Sequence, residues 1–218
     1  MDIQEPEKTI IPKIINKIIT MNNSNPVALR FENKESQSDN SKLSDWSCLS
    51  YFEYIEQTHK IGRILIKNEL EINGGICIYS NNCPEWHIVF LGAIGSGYRP
   101  TGVYPTDTFE QISFKISDSN SQILFVDNDN RANQLLPLLE EGKIKKIIIF
   151  DYQERTIKHD RVIYFDKFLE EDDLNYQFEI INRQRNMKSD DICCYVYTSG
   201  TTGNPKGVKM THDNLIFE

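Results

Sequence analysis

Hydrophobic positions along the chain alternate between short continuous runs and stripes with helical spacing. The continuous runs are rich in β-branched and aromatic residues, which is typical of buried strands. They predict strands at Ile76–Tyr79, Ile123–Val126, Ile147–Phe150, Val162–Phe165 and Ile192–Tyr197. The helical stripes comprise Tyr51, Tyr54, Ile55, Thr58, Ile61 and Leu65; Phe109, Ile112 and Ile116; and Leu135, Leu136, Leu138 and Leu139, where Pro137 is expected to start or bend the helix. Strands alternating with helices predict an α/β layered fold with a largely parallel sheet and flanking helices.

The composition narrows the class of protein without indicating an activity. The chain has 218 residues, 39% of them hydrophobic, which is enough to bury a core as one large or two small domains. Its net charge of −8 argues against nucleic-acid binding. The five cysteines show no C-x-x-C spacing and the four histidines no metal-ligand spacing. We therefore expect reduced thiols and an intracellular, cytoplasmic protein.

The densest chemistry lies near the end of the sequence, in the stretch from Tyr197 to Gly207 that reads Tyr-Thr-Ser-Gly-Thr-Thr-Gly-Asn-Pro-Lys-Gly. Glycines let backbone amides converge on an anion, hydroxyls add donors, and lysine adds a compact positive charge. This make-up predicts a polyphosphate-binding loop. It does not follow the P-loop of nucleotide triphosphatases, because Pro205 stands where that pattern needs glycine and Gly207 where it needs Ser or Thr.

The stretch resembles the phosphate loop of the AMP-forming adenylating enzymes, the superfamily of acyl-CoA synthetases, luciferases and peptide-synthetase adenylation domains. The family pattern is [YF]-T-S-G-[ST]-T-G-x-P-K-G-V, followed shortly by H-x-N. The matching residues are Tyr197, Thr198, Ser199, Gly200, Thr201, Thr202, Gly203, Pro205, Lys206, Gly207, Val208, His212 and Asn214. The alternative is a Ser/Thr/Gly surface loop that binds nothing, and such loops do not usually carry this order of residues.

The resemblance implies ATP, Mg²⁺ and coenzyme A as substrates or cofactors. In the family, a carboxylate attacks the α-phosphorus of ATP, pyrophosphate leaves, and the acyl-adenylate is converted to a thioester. By resemblance, the residues that hold the β- and γ-phosphates, with magnesium bridging, are Thr198, Ser199, Gly200, Thr201, Thr202, Gly203 and Lys206. Lys206 is also the candidate catalytic residue, because its charge would stabilise the leaving pyrophosphate. No residue of the chain is assigned as a metal ligand.

Upstream segments indicate a branch of the family. Asn82–Trp86, Leu91–Gly97 and Gly102–Thr106 resemble the N-terminal half of long-chain fatty acyl-CoA synthetases of the bubblegum type. A purely structural interpretation stands beside this one, with Pro84 at a first helical position and an apolar helix face after it. Tyr104 and Thr106 are either turn residues or part of an acyl or nucleotide pocket. Thr211 or Asp213 is expected to cap a terminal helix.

The resemblance also implies a domain division. We expect residues 1–25 to form an N-terminal extension or helix. Residues 26–218 are expected to form an incomplete, truncated N-terminal adenylating domain that ends just after the phosphate loop, with the C-terminal domain absent. The parent enzyme would activate a long-chain fatty acid, with fatty acid, ATP, CoA and the missing C-terminal part of the same enzyme as partners. The chain alone is expected to be inactive, and two alternatives are an adenylating enzyme for another carboxylic acid and a non-catalytic truncated paralogue or pseudogene product.

Several segments carry weaker predictions. The apolar stretch Ile10–Ile19 predicts a helix that packs on the domain or, as an alternative, contacts an intracellular membrane from one side. The acidic run Glu170–Asp173 predicts a solvated connector, and Glu35–Lys42 a variable surface loop. The strand at Ile192–Tyr197 is expected to lack neighbouring strands, which predicts poor solubility.

Overall fold

A seven-stranded sheet forms the centre of the chain. The computed structural model describes residues 9–21, 26–32, 46–151, 155–198 and 204–217. The strands of this sheet are β3 (Gly75–Tyr79), β4 (Arg99–Gly102), β5 (Ser121–Val126), β6 (Lys146–Ile149), β7 (Val162–Tyr164), β8 (Ile192–Thr198) and β9 (Lys206–Thr211). Their order is β7-β6-β5-β3-β4-β8-β9, and every neighbouring pair is parallel except the antiparallel β8–β9. The largely parallel α/β sheet predicted from the sequence is confirmed.

Helices cover both faces of the sheet. Those in the described residues are α1 (Ile11–Met21), α2 (Tyr51–Lys67), α3 (Pro84–Gly95), α4 (Phe109–Asp118), α5 (Asp129–Glu140), α6 (Phe165–Glu170), α7 (Gln177–Asn186) and α8 (His212–Phe217), and a 3-10 turn spans Leu174–Tyr176. A separate antiparallel hairpin consists of β1 (Val27–Glu32) and β2 (Trp46–Ser50). Helix α2 begins at a capping box in which Ser50 and Glu53 satisfy each other's backbone amides.

Alternation along the strands divides the core into two layers. On one face, Ile76 and Ile78 of β3 pack with α2, α3, α6 and α7. On the other face, Cys77 and Tyr79 of the same strand pack with α4 and α5. Because successive side chains of a strand point to opposite faces, a continuous apolar run is what a strand covered on both sides requires. This explains why β3, β5 and β6 could be recognised as runs rather than as alternating patterns.

Two local predictions about elements need correction. Helix α5 begins at Asp129, where Asn128 accepts a hydrogen bond from the Arg131 amide, so Pro137 lies inside the helix and does not start it. The alternative, that Pro137 bends the helix, stays a prediction. The strand at Ile192 does not lack neighbours, because β4 lies on one side and β9 on the other. Sequence reasoning missed β9, since its residues Lys206–Thr211 carry little apolar character.

Side-chain hydrogen bonds connect β4 to β8, because Pro100 of β4 has no backbone N–H to donate. The amides of Arg99 and Val103 donate towards β3, so the position of Pro100 between them faces β8 and offers no N–H there. Two side chains replace part of the missing ladder: Thr101 Oγ1 donates to the Tyr195 carbonyl at 3.0 Å, and Arg99 Nε donates to the Ile192 carbonyl at 3.3 Å. These bonds help to hold β8 beside the parallel sheet.

The weaker segment predictions have mixed outcomes. Helix α1 packs against α2, α3 and α8, with Pro12 buried and Lys13 and Lys17 exposed. The solvated-connector prediction for Glu170–Asp173 was wrong for Asp172, which accepts a hydrogen bond from the buried Arg63. The predicted surface loop Glu35–Lys42 lies outside the described residues. Within the described ranges, no helix combines the length and apolarity needed to cross a membrane.

Candidate functional site

The predicted phosphate-binding segment connects the two strands of the β8–β9 hairpin. Thr198, the last residue of β8, is paired in register with Lys206, the first residue of β9. These two predicted site residues are therefore brought together at the mouth of the connection formed by residues 199–205. The lysine side chain is solvent-exposed and forms no ion pair with a described residue. The other predicted ligands, Ser199, Gly200, Thr201, Thr202 and Gly203, lie outside the described residues.

The carboxyl end of β8 lies at the edge of the sheet where binding sites of parallel α/β folds occur. Strands β3, β4 and β8 are parallel, so their carboxyl ends meet at one edge. The helix after β3 packs on one face of the sheet, and the helix after β4 packs on the other. A crevice opens at such a reversal, and it is the usual ligand site of open α/β sheets.

A groove with a volume of about 460 Å³ occupies this position. Its wall combines polar residues that follow β3 with aromatic and apolar residues from α3, the end of β4 and β8. The lining residues are Ser80, Asn81, Asn82, Trp86, Phe90, Gly102, Val103, Tyr104, Pro105, Tyr195, Val196 and Tyr197. Trp86 and Phe90 stack with ring centroids 4.9 Å apart and form one wall. The groove therefore lies directly before the predicted phosphate-binding segment and has an apolar wall.

The sequence left two interpretations of Asn82–Trp86 and of Tyr104, and the structure combines them. Pro84 is the first residue of α3, as expected, and Val89, Ala93 and Ile94 are buried in the core. Trp86 is only half-buried and faces the groove. Tyr104 is 56% exposed and also lines it. The helix is thus structural on one side and contributes to a cavity on the other.

The cysteines near the groove, Cys83 and Cys77, are not suited to act as nucleophiles. Burial raises the pKa of Cys83 to about 11, although its sulfur shares a hydrogen bond with the Ser80 hydroxyl at 3.5 Å. Burial likewise raises the pKa of Cys77 to about 12. Both sulfurs are therefore protonated at neutral pH and are poor nucleophiles. Within the described residues, no group of three or more His, Cys, Asp or Glu side chains could hold a metal ion.

The two motif residues after the loop, His212 and Asn214, make structural hydrogen bonds. His212 is 2% exposed, and its Nδ1 accepts a hydrogen bond from the Ile11 amide at 3.4 Å. Asn214 accepts from the amide and hydroxyl of Thr211, and the Thr211 hydroxyl accepts from the Asn214 amide in return. Thr211 is therefore the cap of α8, as one of the two predicted alternatives had it. Neither His212 nor Asn214 lines the groove.

Comparison with known protein families decides the assignment. The family described as AMP-binding enzyme matches residues 27–218. The chain belongs to this family. This membership agrees with the resemblance seen in the stretch from Tyr197 to Gly207, and the match covers the sheet, the groove and the hairpin together.

Relatives within the AMP-binding enzyme family point to one branch. The long-chain-fatty-acid–CoA ligase ACSBG2 of Gallus gallus is 34% identical over 180 residues, covering 81% of this chain and 23% of that protein. The human ACSBG2 is 31% identical over 172 residues, covering 79% of this chain and 26% of that protein. The ligase heimdall of Drosophila melanogaster is 27% identical over 177 residues, covering 79% and 26%. The chain thus spans about a quarter of the length of these relatives.

Solved structures agree with the fold. An acyl-CoA synthetase from Brucella canis superposes with a TM-score of 0.68 at 16% identity, covering 89% of this chain and 32% of that one. The anthranilate CoA ligase AuaEII, in complex with anthranoyl-AMP, superposes with a TM-score of 0.60 at 18% identity, covering 76% and 30%. At these identities the likeness concerns the arrangement of the sheet and helices.

Proposed function

We propose that this chain supplies the polyphosphate-binding part of an AMP-forming acyl-CoA synthetase that activates a long-chain fatty acid. Three observations support this function: membership of the AMP-binding enzyme family, relatives that are long-chain-fatty-acid–CoA ligases, and the apolar groove beside the phosphate-binding segment. The observation that carries the proposal is the pairing of Thr198 with Lys206 at the mouth of that segment.

The proposed reaction has two steps. A carboxylate oxygen of the fatty acid attacks the α-phosphorus of ATP, and the bond to the bridging oxygen breaks to release pyrophosphate. The thiol sulfur of coenzyme A then attacks the acyl carbonyl of the acyl-adenylate, and AMP leaves. Negative charge accumulates on pyrophosphate in the first step, so fixed donors and a cation near it lower the barrier.

The residues of this chain would act mainly on the leaving pyrophosphate. Thr198 offers a hydroxyl and Lys206 a charged ammonium at the two ends of the connection, and both are exposed to solvent. The intervening Ser199, Gly200, Thr201, Thr202 and Gly203 would supply the remaining donors. Mg²⁺ would bind chiefly to phosphate oxygens of ATP, since the described residues provide no cluster of acidic ligands.

Three further expectations belong to this proposal. The division at residues 25 and 26 and a requirement for additional protein to complete the adenylation site stay predictions. So does contact of α1 with a membrane, which would have to use surface other than the face that packs on α2 and α3. Adenylation requires protein groups that hold both the fatty-acid carboxylate and the α-phosphorus of ATP close together. The hairpin would hold only the nucleotide.

Nucleotide binding by the purified chain tests the proposal. The dissociation constants of MgATP and of pyrophosphate are measured by calorimetry for the wild type, Lys206→Ala and Lys209→Ala. Lys209 is an exposed lysine of the same strand and loses the same charge when changed, but it pairs with Tyr195 away from the connection. We expect Lys206→Ala to weaken both ligands roughly tenfold or more, because a charged hydrogen bond is lost. Equal affinities for the two variants would contradict the proposal.

A second measurement addresses the acid. Exchange of labelled pyrophosphate into ATP is followed with palmitate, with benzoate or with no acid. Exchange that depends on palmitate supports fatty-acid activation, and exchange that depends on benzoate would assign an aromatic acid instead. Nucleotide binding without exchange under any condition would show that this chain binds ATP but does not adenylate on its own.

A further inference from the structure

The phosphate-binding hairpin is tied to helix α4 by one buried tyrosine. Tyr197 precedes Thr198 on β8 and is 2% exposed. Its hydroxyl donates to Asp118 Oδ2 at 2.7 Å, and Asp118 is the last residue of α4. A hydrogen bond from a hydroxyl to a carboxylate is stronger than one between neutral groups. The incoming end of the phosphate-binding segment is therefore fastened to a helix of the core.

The outgoing end of the segment meets the same contact. Gly207 follows Lys206 and is the in-register partner of Tyr197. A Cβ atom at this glycine would lie 3.0 and 3.1 Å from Cε1 and Cζ of the tyrosine ring and 3.2 Å from Asp118 Oδ2. The ring therefore lies across the glycine, and this close approach leaves little room for a side chain. One aromatic ring holds both ends of the hairpin together.

The buried ammonium group of Lys115 lies close to the Tyr197 ring. Lys115 is 1% exposed and forms an ion pair with Asp107. Its Nζ lies 5.5 Å from the ring centroid of Tyr197 and 5.0 Å from that of Tyr104. Burial, together with the hydrogen bond to Asp118, raises the pKa of Tyr197. The hydroxyl therefore stays protonated and remains a donor throughout the physiological range.

We propose that Asp118 is a positioning residue for phosphate binding, acting through Tyr197 to fix both ends of the hairpin. The inference rests on the proposed function, because it assumes that the segment between Thr198 and Lys206 binds phosphate groups. Donors that are held in place before the ligand arrives cost less ordering free energy on binding. Asp118 itself is not a ligand, because its carboxylate would repel the anion.

Pyrophosphate affinity of four variants tests this role. Tyr197→Phe and Asp118→Ala remove the hydrogen bond, whereas Asp118→Asn keeps an acceptor oxygen. Tyr164→Phe is the matched control, because Tyr164 is also buried and donates to a carboxylate, Asp129, at 3.0 Å on the opposite edge of the sheet. We expect the first two variants to bind pyrophosphate about fivefold more weakly, and Asp118→Asn and Tyr164→Phe to bind within about twofold of the wild type.

Thermal melting separates positioning from general stability. Tyr197→Phe loses the hydrogen bond to Asp118, and Tyr164→Phe loses the bond to Asp129 and the one accepted from the Ile157 amide. Both variants are therefore expected to lower the melting temperature, while only the first lowers pyrophosphate affinity. Unchanged affinity of Tyr197→Phe and Asp118→Ala, or an equal loss in Tyr164→Phe, would overturn the proposal.

A ligand-free measurement keeps this inference distinct from the proposed function. Amide hydrogen exchange at Gly207 and Val208 is compared between the wild type, Tyr197→Phe and Tyr164→Phe without any phosphate present. Faster exchange only in Tyr197→Phe supports the anchor even if the wild type fails to bind pyrophosphate, an outcome that would remove the proposed function alone. Equal exchange in all three proteins would overturn the anchor whether or not pyrophosphate binds.

Discussion

Arg63 and Asp172 form a two-pronged ion pair, with Nε 2.7 Å from Oδ1 and Nη2 2.8 Å from Oδ2. Arg63 is 2% exposed and belongs to α2, whereas Asp172 lies in the turn after α6. Burial by itself would raise the pKa of Asp172, but the hydrogen bonds and charge of Arg63 outweigh it and hold that pKa below 3.8. The pair therefore joins α2 to the turn after α6, and the Asp172 carboxylate balances the buried guanidinium charge of Arg63.

Replacing Asp172 by Ala is expected to destabilise the fold by about 3 kcal/mol, because it leaves a buried guanidinium without its main partner. Glu170→Ala is the control, since Glu170 pairs with Lys167 on the surface, where the two side chains are 64% and 57% exposed. Exposed pairs contribute at most about 1 kcal/mol. The free energies of unfolding of the two variants are measured by urea denaturation, and similar losses would contradict the importance assigned to the buried pair.

Stability is expected to fall as the solution becomes mildly acidic, and His212 is one cause. Burial lowers the pKa of His212 in the folded chain below the ordinary 6.5, although the nearby charge of Asp191 opposes this. The unfolded chain therefore takes up the proton first as pH falls below about 6.5. The stabilisation is complete above that pH and is lost progressively below it. Burial also lowers the pKa values of His59 and His87, so they add to the same trend.

The contribution of His212 is isolated by comparing wild type and His212→Gln. Glutamine offers an oxygen that can accept the Ile11 amide but has no proton to gain in this range. Unfolding free energies at pH 7.5 and 5.5 are expected to differ less in the variant than in the wild type. An identical pH dependence in both proteins would mean that His212 is protonated as easily in the folded chain as in the unfolded one.

Two glycines of α3 are expected to respond in opposite directions to alanine. A Cβ atom at Gly92 would lie 2.8 Å from Ile61 Cβ and 2.8 Å from the Thr58 carbonyl oxygen of α2. At Gly95 the nearest atom is Gln184 Nε2 at 3.6 Å, an ordinary contact. Gly92→Ala should therefore cost about 2 kcal/mol through overpacking, and Gly95→Ala should gain about 0.5 kcal/mol through helix propensity. Calorimetric melting of both variants checks this, and a stable Gly92→Ala would show that α2 and α3 can separate easily.

Much of the fold could be predicted from the sequence, because parallel strands that are buried on both faces consist of continuous apolar residues. Ile76–Tyr79 and Ile123–Val126 fall within β3 and β5, since every position of those strands is buried. The exposed β9 escaped prediction because Lys206 and Lys209 share it with few apolar residues. Strands at the rim of a sheet lack the pattern that identifies central ones.

The residues around the hairpin were predicted only in part, because Tyr197 contacts a residue that is distant in the sequence. The Tyr197–Gly207 stretch is a local motif whose order of residues predicts phosphate binding, and this stays a prediction. Nothing local connects Tyr197 with Asp118, which lies 79 positions earlier. The one available signal was Lys115, which follows Ile112 by one helical turn on the apolar side of α4. A lysine in that position indicates a buried partner but does not identify Asp107.

Amide hydrogen exchange with and without MgATP tests the central claim most directly, because it reports where on the chain the nucleotide binds. The account predicts slower exchange at residues 197–207 when MgATP is added, and a much smaller effect in Lys206→Ala than in Lys209→Ala. Exchange in α7, on the surface away from the groove, should not change. Unchanged exchange at residues 197–207 with saturating MgATP, or slowing confined to another part of the chain, would contradict the assignment of this hairpin as the phosphate-binding site.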